Sequence, residues 1–191
     1  MEHIERKKRT IRKKTGEDKK KYSLSDFRKI LQVIENRRSQ RIFISKEKID
    51  NVDLQFINKA VVAAPSSCNR QAIHLKLQKP SKDFLEPLVG GRGWCHKANM
   101  ILMLYADMTA YKSPNEVEFM PYLDAGFVAQ NIYLICEVMD IGCCYINPHT
   151  KPKGKYDKKN LKFMGAFALG YYDKKAICPP KREYAWIQMK K

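Results

Sequence analysis

Two short runs carry the residue types best suited to chemistry. The first is Arg37-Arg38-Ser39-Gln40-Arg41-Ile42-Phe43, and the second is Ala64-Pro65-Ser66-Ser67-Cys68-Asn69-Arg70-Gln71. Three guanidiniums and a hydroxyl within five residues supply charge-assisted donors suited to a phosphorylated, polar-edged ligand. Basic residues also close helices, because the negative end of the helix dipole favours cations. Three arginines and a serine in so tight a pattern favour ligand binding. The second run is a small-residue turn that presents the amide side chains of Asn69 and Gln71.

Other chemistries lack their residues. The histidines His3, His74, His96 and His149 are scattered, and neither a Gly-x-Ser-x-Gly elbow nor a His-Glu-x-x-His pair occurs. The six cysteines show no C-x-x-C and no zinc-like spacing, so they read as reduced, mostly buried thiols. If the chain is an enzyme, its chemistry resides in a bound cofactor that the protein orients.

Several elements must position these runs. Ser23 or Ser25 caps a helix reaching about Asn36, with Phe27, Ile30, Leu31 and Ile34 on one face. That helix delivers the arginine run at its C-terminal end. A second helix is expected over residues 50–63, with Leu54, Ile57, Ala60, Val61 and Ala64 inward, and Pro65 stops it. Residues 73–77 alternate like a strand, Pro80 and Ser81 open a short helical piece, and Gly90-Gly91-Arg92-Gly93 is a weak phosphate-loop signal.

Residues 100–105 read as a buried central strand, 107–118 as a loop marked by Ser113-Pro114-Asn115, and 121–139 as a long helix ended by Gly142. That helix is apolar on most sides, which suits the core or a subunit interface. A short strand at 143–146, a short helix at 157–164 and a last strand at 166–171 complete the series. The terminal Tyr184-Ala185-Trp186-Ile187 is expected to pack on a partner subunit. The pattern is α+β, a small sheet covered by helices. No G-x-G-x-x-G follows a strand, which argues against a Rossmann fold.

A chain of 191 residues with 44% hydrophobic content fits one domain with a real core. Its longest apolar stretches fall well short of the ~20 residues that span a bilayer, so no membrane association is expected. The basic N-terminus lacks an apolar signal core, so a cytoplasmic location is expected. The net charge is +17, and residues 1–21 hold ten Lys/Arg against four acids. Residues 1–22 therefore read as a basic, mobile or partly helical arm, and residues 23–191 as the folded domain. Such an arm attracts polyanions or is simply solvated. Nucleic-acid binding lacks the support of any RNP motif, zinc finger or Gly-Lys-Ser/Thr loop.

Four segments, in order, resemble the nitroreductase family of flavin enzymes. They are the two runs above; Asp124-Ala125-Gly126-Phe127-Val128-Ala129-Gln130-Asn131 leading to Gly142-Cys143-Cys144-Tyr145-Ile146; and Leu169-Gly170-Tyr171 with Pro179-Pro180-Lys181-Arg182. The resemblance implies a small, mostly antiparallel central sheet flanked by helices, in an intertwined homodimer with two FMN sites at its interface. Arg37 would then pair with the FMN phosphate. Arg38 and Ser39 would hold phosphate, ribityl or ring-edge oxygens, and Arg41 would lie near the N1/O2 edge. From the other chain, Pro65, Ser66, Ser67, Asn69 and Gln71 would approach the ring. Tyr145, Ile146 and Asn147 would bring a strand end whose backbone N–H reaches N5, and Lys181 and Arg182 would return to the phosphate.

The implied activity is ping-pong hydride transfer from NAD(P)H through FMN to an electron-poor small molecule such as a nitroaromatic or quinone. The alternative is a non-catalytic flavin- or polyanion-binding protein that works through its basic arm. Three features depart from the family pattern. Pro148 removes a backbone donor, Arg70 has no family role, and the stretch 107–124 is short.

Overall fold

The fold is organised around strand β2 (Met100–Asp107), whose residues Ile101 to Ala106 are all buried. A computed structural model describes residues 22–44, 48–89, 93–146, 157–177 and 180. The expectations for the arm over 1–21, Gly90, Gly91, Arg92, Asn147, Pro148, Pro179, Lys181, Arg182 and the terminal Tyr184 to Ile187 lie outside these residues.

β2 pairs antiparallel with β1 (Ile73–Gln78) on one side and with β4 (Leu161–Gly170) on the other. β4 in turn pairs antiparallel with β3 (Gly142–Ile146), giving the order β1-β2-β4-β3. Because side chains alternate along a strand, β2 serves two cores. Leu102, Leu104 and Ala106 meet helices α2 (Asn51–Val62) and α4 (Pro114–Val138) through Ile57, Val61, Val128, Ile132 and Cys136. Ile101, Met103 and Tyr105 pack on the other face with Phe43, Leu85, Cys95 and Phe163. Leu85 belongs to α3 (Lys82–Val89), and Cys95 to the turn Gly93–Lys97. The sheet thus has helices on both faces, in the α+β arrangement expected.

Helix α1 (Leu24–Asn36) begins at the expected Ser23, whose hydroxyl accepts the Asp26 N–H while the Asp26 carboxylate accepts the Ser23 N–H. This reciprocal cap satisfies donors that the first turn leaves open. None of its residues is buried; Phe27, Ile30, Leu31 and Ile34 all face outward. Helix α4 is apolar on two sides. One stripe (Ala125, Val128, Ile132, Cys136) fills the core, while Phe119, Leu123, Phe127 and Val138 remain exposed.

Three boundaries differ from the sequence expectation. Helix α4 begins at Pro114 rather than near Pro121, because Ser113 and Glu116 form a second capping box and Pro114 fits the first turn. Ser113-Pro114-Asn115 is a helix start, and Pro121 lies inside the helix. There is no helix over 157–164. Leu161 and Phe163 instead pair across to Asp107 and Tyr105, so the last strand starts at Leu161 rather than at 166. Helix α4 ends at Val138 with Met139 as its cap, and Asp140 just beyond takes a left-handed φ of 53°. Gly142 opens β3, where an added Cβ would lie 2.8 Å from the Gln40 side chain.

Gly165 has a second steric role. Its φ is +133°, and a Cβ there would sit 2.2 Å from the Tyr145 hydroxyl, which donates to the Met164 carbonyl. The glycine makes room for the Tyr145 phenol under the sheet.

Candidate functional site

The arginine run leaves α1 in an extended path beside the sheet. Arg37 caps the helix through its N–H to the Val33 carbonyl at 3.1 Å. Gln40 N–H then donates to the Cys143 carbonyl at 2.9 Å, and Ile44 N–H to the Tyr171 carbonyl at 2.8 Å. These two bonds pin the run alongside β3 and the end of β4.

The side chains of the run have two destinations. Gln40 and Phe43 turn inward, and Gln40 is 3% exposed. Its amide nitrogen donates to the Ile42 and Lys174 carbonyls at 3.1 and 2.8 Å, and its amide oxygen accepts the Ala176 N–H at 2.9 Å. One buried amide therefore ties the arginine run to the chain beyond β4. An ion pair between Lys175 and Glu137 of α4 adds a second tie.

The ligand-type residues gather around Tyr133 of α4. The Arg37 guanidinium lies over its ring, 4.7 Å from the centroid. Its hydroxyl is 3.2 Å from Ser39 Oγ and accepts the Tyr145 N–H at 2.9 Å. Its ring meets Phe167 edge-on at 5.0 Å. Arg37, Ser39 and Tyr145, from two distant parts of the chain, are thus brought to one side chain. Of the backbone donors expected at this strand end, that of Tyr145 is engaged by Tyr133.

Arg41 is exposed and lies 5.9 Å from the Trp94 ring centroid. Arg38 turns back, donating to the Glu35 and Arg37 carbonyls at 2.6 and 2.7 Å, so its guanidinium closes α1. Ile146 is buried in the core that holds Phe43. Beside the run, burial pushes the Cys144 thiol up, against the pull of Arg41, Ser39 and Arg37. Burial and the neighbouring Cys136 likewise raise Cys143 well above its ordinary value. These thiols stay protonated at neutral pH and are poor nucleophiles.

The small-residue turn forms a second cluster. Cys68, Asn69 and Gln71 all take left-handed φ values, of 50°, 54° and 51°. Such backbone is costly for residues with a side chain, so surrounding contacts must impose it. The Ser66 hydroxyl accepts the Gln71 N–H at 2.9 Å, and the Ser66 carbonyl accepts the Asn69 N–H at 3.0 Å. Ser67 N–H donates to Asp124 Oδ1 at 2.8 Å, and the Tyr111 hydroxyl donates to Asp124 Oδ2 at 2.9 Å. Burial and the Asp124 carboxylate push the Tyr111 phenol above its ordinary range, so it stays a donor.

Arg70 has its role here: it bonds Ser67 Oγ at 2.9 Å and Glu116 at 2.8 Å, clamping the turn to the first turn of α4. Pro65 and Asn69 stay exposed. A cleft of about 290 Å³ runs beside the turn, lined by Asn58, Pro65, Ser66, Gln71, His74 and Asp124 among others.

The sequence reading missed Tyr133, Gln40 and the anchoring role of Asp124. The available signal for two of them was a phenol and a carboxylate placed inside an otherwise apolar helix. Among the described residues, no group of three His, Cys, Asp or Glu side chains could hold a metal ion, and no helix is long and apolar enough to cross a membrane.

Comparison with known proteins places the architecture. No protein-family model matches the sequence, and no curated protein matches it. Solved structures do match in fold. Nitroreductase A from Vibrio parahaemolyticus superposes with a TM-score of 0.71 at 24% identity, over 80% of this chain and 70% of that one. A nitroreductase-like protein from Desulfovibrio desulfuricans, in complex with FMN, gives 0.68 at 21% identity, over 81% and 92%. Nitroreductase CinD from Lactococcus lactis, in complex with 4-nitrophenol, gives 0.68 at 14% identity, over 80% and 94%. The chain has the nitroreductase fold, as the four sequence segments implied.

Proposed function

We propose that this protein is an FMN-dependent oxidoreductase that passes hydride equivalents from NAD(P)H to an electron-poor small molecule such as a nitroaromatic or quinone. The observation that carries the proposal is the gathering of Arg37 and Ser39 around Tyr133 at β3, within a fold shared with an FMN complex. The donor set fits the cofactor. A guanidinium and a hydroxyl suit its phosphate, and the exposed Arg41 beside Trp94 suits the polar edge of its ring system. Bound FMN would supply the two-electron hydride chemistry.

The chain's own residues have three tasks. Arg37, Ser39, Lys181 and Arg182 bind the phosphate, with Arg38 supporting them at the end of α1. Arg41 holds positive charge where negative charge collects at N1/O2 on reduction, which favours the reduced state electrostatically. Pro65, Ser66, Ser67, Asn69 and Gln71 form the opposing wall, facing Tyr145, Ile146 and Asn147.

That wall comes from a second copy of the chain. Asp124 and Tyr133 hold the two clusters from one helix, and nine residues place them about 13 Å apart along its axis on opposite flanks. A homodimer also covers the exposed stripes of α1 and α4. Between these helices runs an apolar groove of about 300 Å³, lined by Ile30, Val33, Ile34, Leu134 and Val138.

Purified protein tests the proposal. It should be yellow or take up one FMN per chain in a fluorescence titration. Colourless protein that takes up no added FMN would overturn it.

A further inference from the structure

We infer that Tyr133 is a positioning residue that aims the Ser39 hydroxyl at the FMN phosphate, through a one-way hydrogen-bond relay beginning at Tyr145. The inference rests on the flavin site proposed above and assigns a role to a residue outside the arginine run.

The direction of the relay follows from its two ends, a backbone N–H that can only donate and an anion that can only accept. A backbone N–H can only donate, so the Tyr133 oxygen is the acceptor in its 2.9 Å contact with Tyr145. Ser39 Oγ lies 3.2 Å from the phenol oxygen, a contact in which either hydroxyl can donate. A phosphate at Ser39 can only accept, so with it bound Ser39 donates outward and Tyr133 donates to Ser39. Burial raises the Tyr133 phenol above its ordinary value, so its hydrogen stays in place through neutral pH.

The same ring selects the kind of ligand atom. The Arg37 guanidinium lies 4.7 Å from the ring centroid, so a fixed cation and an outward O–H donor share one support. That pair is a donor set for an anion, and phosphate is the anionic group of FMN. Arg41 lies 5.9 Å from the Trp94 ring centroid, whereas Arg37 shares the Tyr133 side chain with Ser39. Ser39 is therefore assigned to the phosphate rather than to a ribityl or ring-edge oxygen.

Affinities for FMN and for riboflavin, which lacks the phosphate, test the relay. Tyr133→Phe keeps the ring under Arg37 and its edge contact with Phe167 while removing the hydroxyl. FMN binding should weaken about tenfold while riboflavin binding changes by less than about twofold, as loss of one hydrogen bond to a charged group predicts. Ser39→Ala should show the same selective loss, Ser39→Thr should retain discrimination, and the double variant Y133F/S39A should be no weaker than S39A alone. Thermal unfolding of each variant establishes that it is folded, and the Ser39 pair decides the matter should Tyr133→Phe fail to fold.

Equal weakening toward both flavins, unchanged FMN affinity in Y133F, or additive losses in the double variant would overturn the relay while leaving the flavin site intact. Wild-type protein that binds no FMN would overturn the site, and the relay with it.

Discussion

Asp124 and Tyr133 stand nine residues apart on α4, and each organises one of the two ligand-type clusters. Asp124 accepts the Ser67 N–H and the Tyr111 hydroxyl, while Tyr133 accepts the Tyr145 N–H and meets Ser39 and Arg37. Nine residues make two and a half helical turns at about 3.6 residues per turn, so the clusters flank the core stripe on opposite sides. A single helix thus fixes both walls of the proposed site, but in one chain it holds them apart.

Asp124 is fully buried, and its carboxylate is the anchor of a turn with three left-handed residues. Asp124→Asn places an amide N–H against one of two donors. The expected loss is about 2 kcal/mol of stability, with weaker FMN binding because the Ser66–Gln71 wall loosens. Urea unfolding and FMN titration measure both, and a variant unchanged in both would refute the anchoring role.

Gln40 occupies the centre of the arginine run but touches no ligand position. Gln40→Leu fills a similar volume and leaves the Ala176 N–H without its acceptor. It should cost about 2–3 kcal/mol. Because Lys174 and Lys175 lie in the released segment, trypsin should cut there faster in the variant. Unaltered cleavage would mean that the segment is held by other contacts.

The Tyr145 phenol gives a pH signature. Burial pushes it up to about 12 from an ordinary 10.0. The unfolded chain therefore loses this proton first, so stability is full below about pH 10 and falls as pH rises toward about 12. The loss attributable to this group is about 2–3 kcal/mol across that window. Urea unfolding of wild type and Tyr145→Phe, compared at about pH 9 and about pH 11.5, should show the wild type losing more. Parallel losses would contradict the assignment.

The exposed face of α1 carries the proposed subunit contact. Phe27→Glu or Ile30→Glu puts a charge where a second chain should pack, which is costly once water is excluded. Light scattering after size exclusion should give the mass of two chains for wild type and of one for the variants. Monomeric wild-type protein with full FMN binding would show that one chain suffices.

The parts legible in sequence were those decided locally. Ser23 or Ser25 announced α1, Pro65 ended the α2 segment, and the apolar run of β2 marked a buried central strand. The start of β4 was not legible, because Leu161 and Phe163 lie among lysines and only pairing with Asp107 and Tyr105 makes them a strand. Ser113-Pro114-Asn115 looked like a loop because its defining partner, Glu116, was not read as the far side of a capping box. At the site, the arginine run stood out by composition. Its supports did not, since Tyr133 lies 94 residues from Ser39, Asp124 57 residues from Ser67, and Ala176 136 residues from Gln40.

Arg37 is the residue on which the phosphate assignment depends most. Arg37→Ala should weaken FMN binding by about 1.5–3 kcal/mol, the range for a charged donor. Arg37→Lys keeps the charge but loses the planar stacking on Tyr133, and should fall between the two. Unchanged FMN affinity in Arg37→Ala would remove that residue from the site.

Reduction of the bound flavin under anaerobic conditions tests the central claim most directly. Protein loaded with FMN and mixed with NADH or NADPH should lose its flavin absorbance, and addition of a nitroaromatic or quinone should restore it. FMN-loaded protein that stays oxidised with both nucleotides would contradict the proposed oxidoreductase.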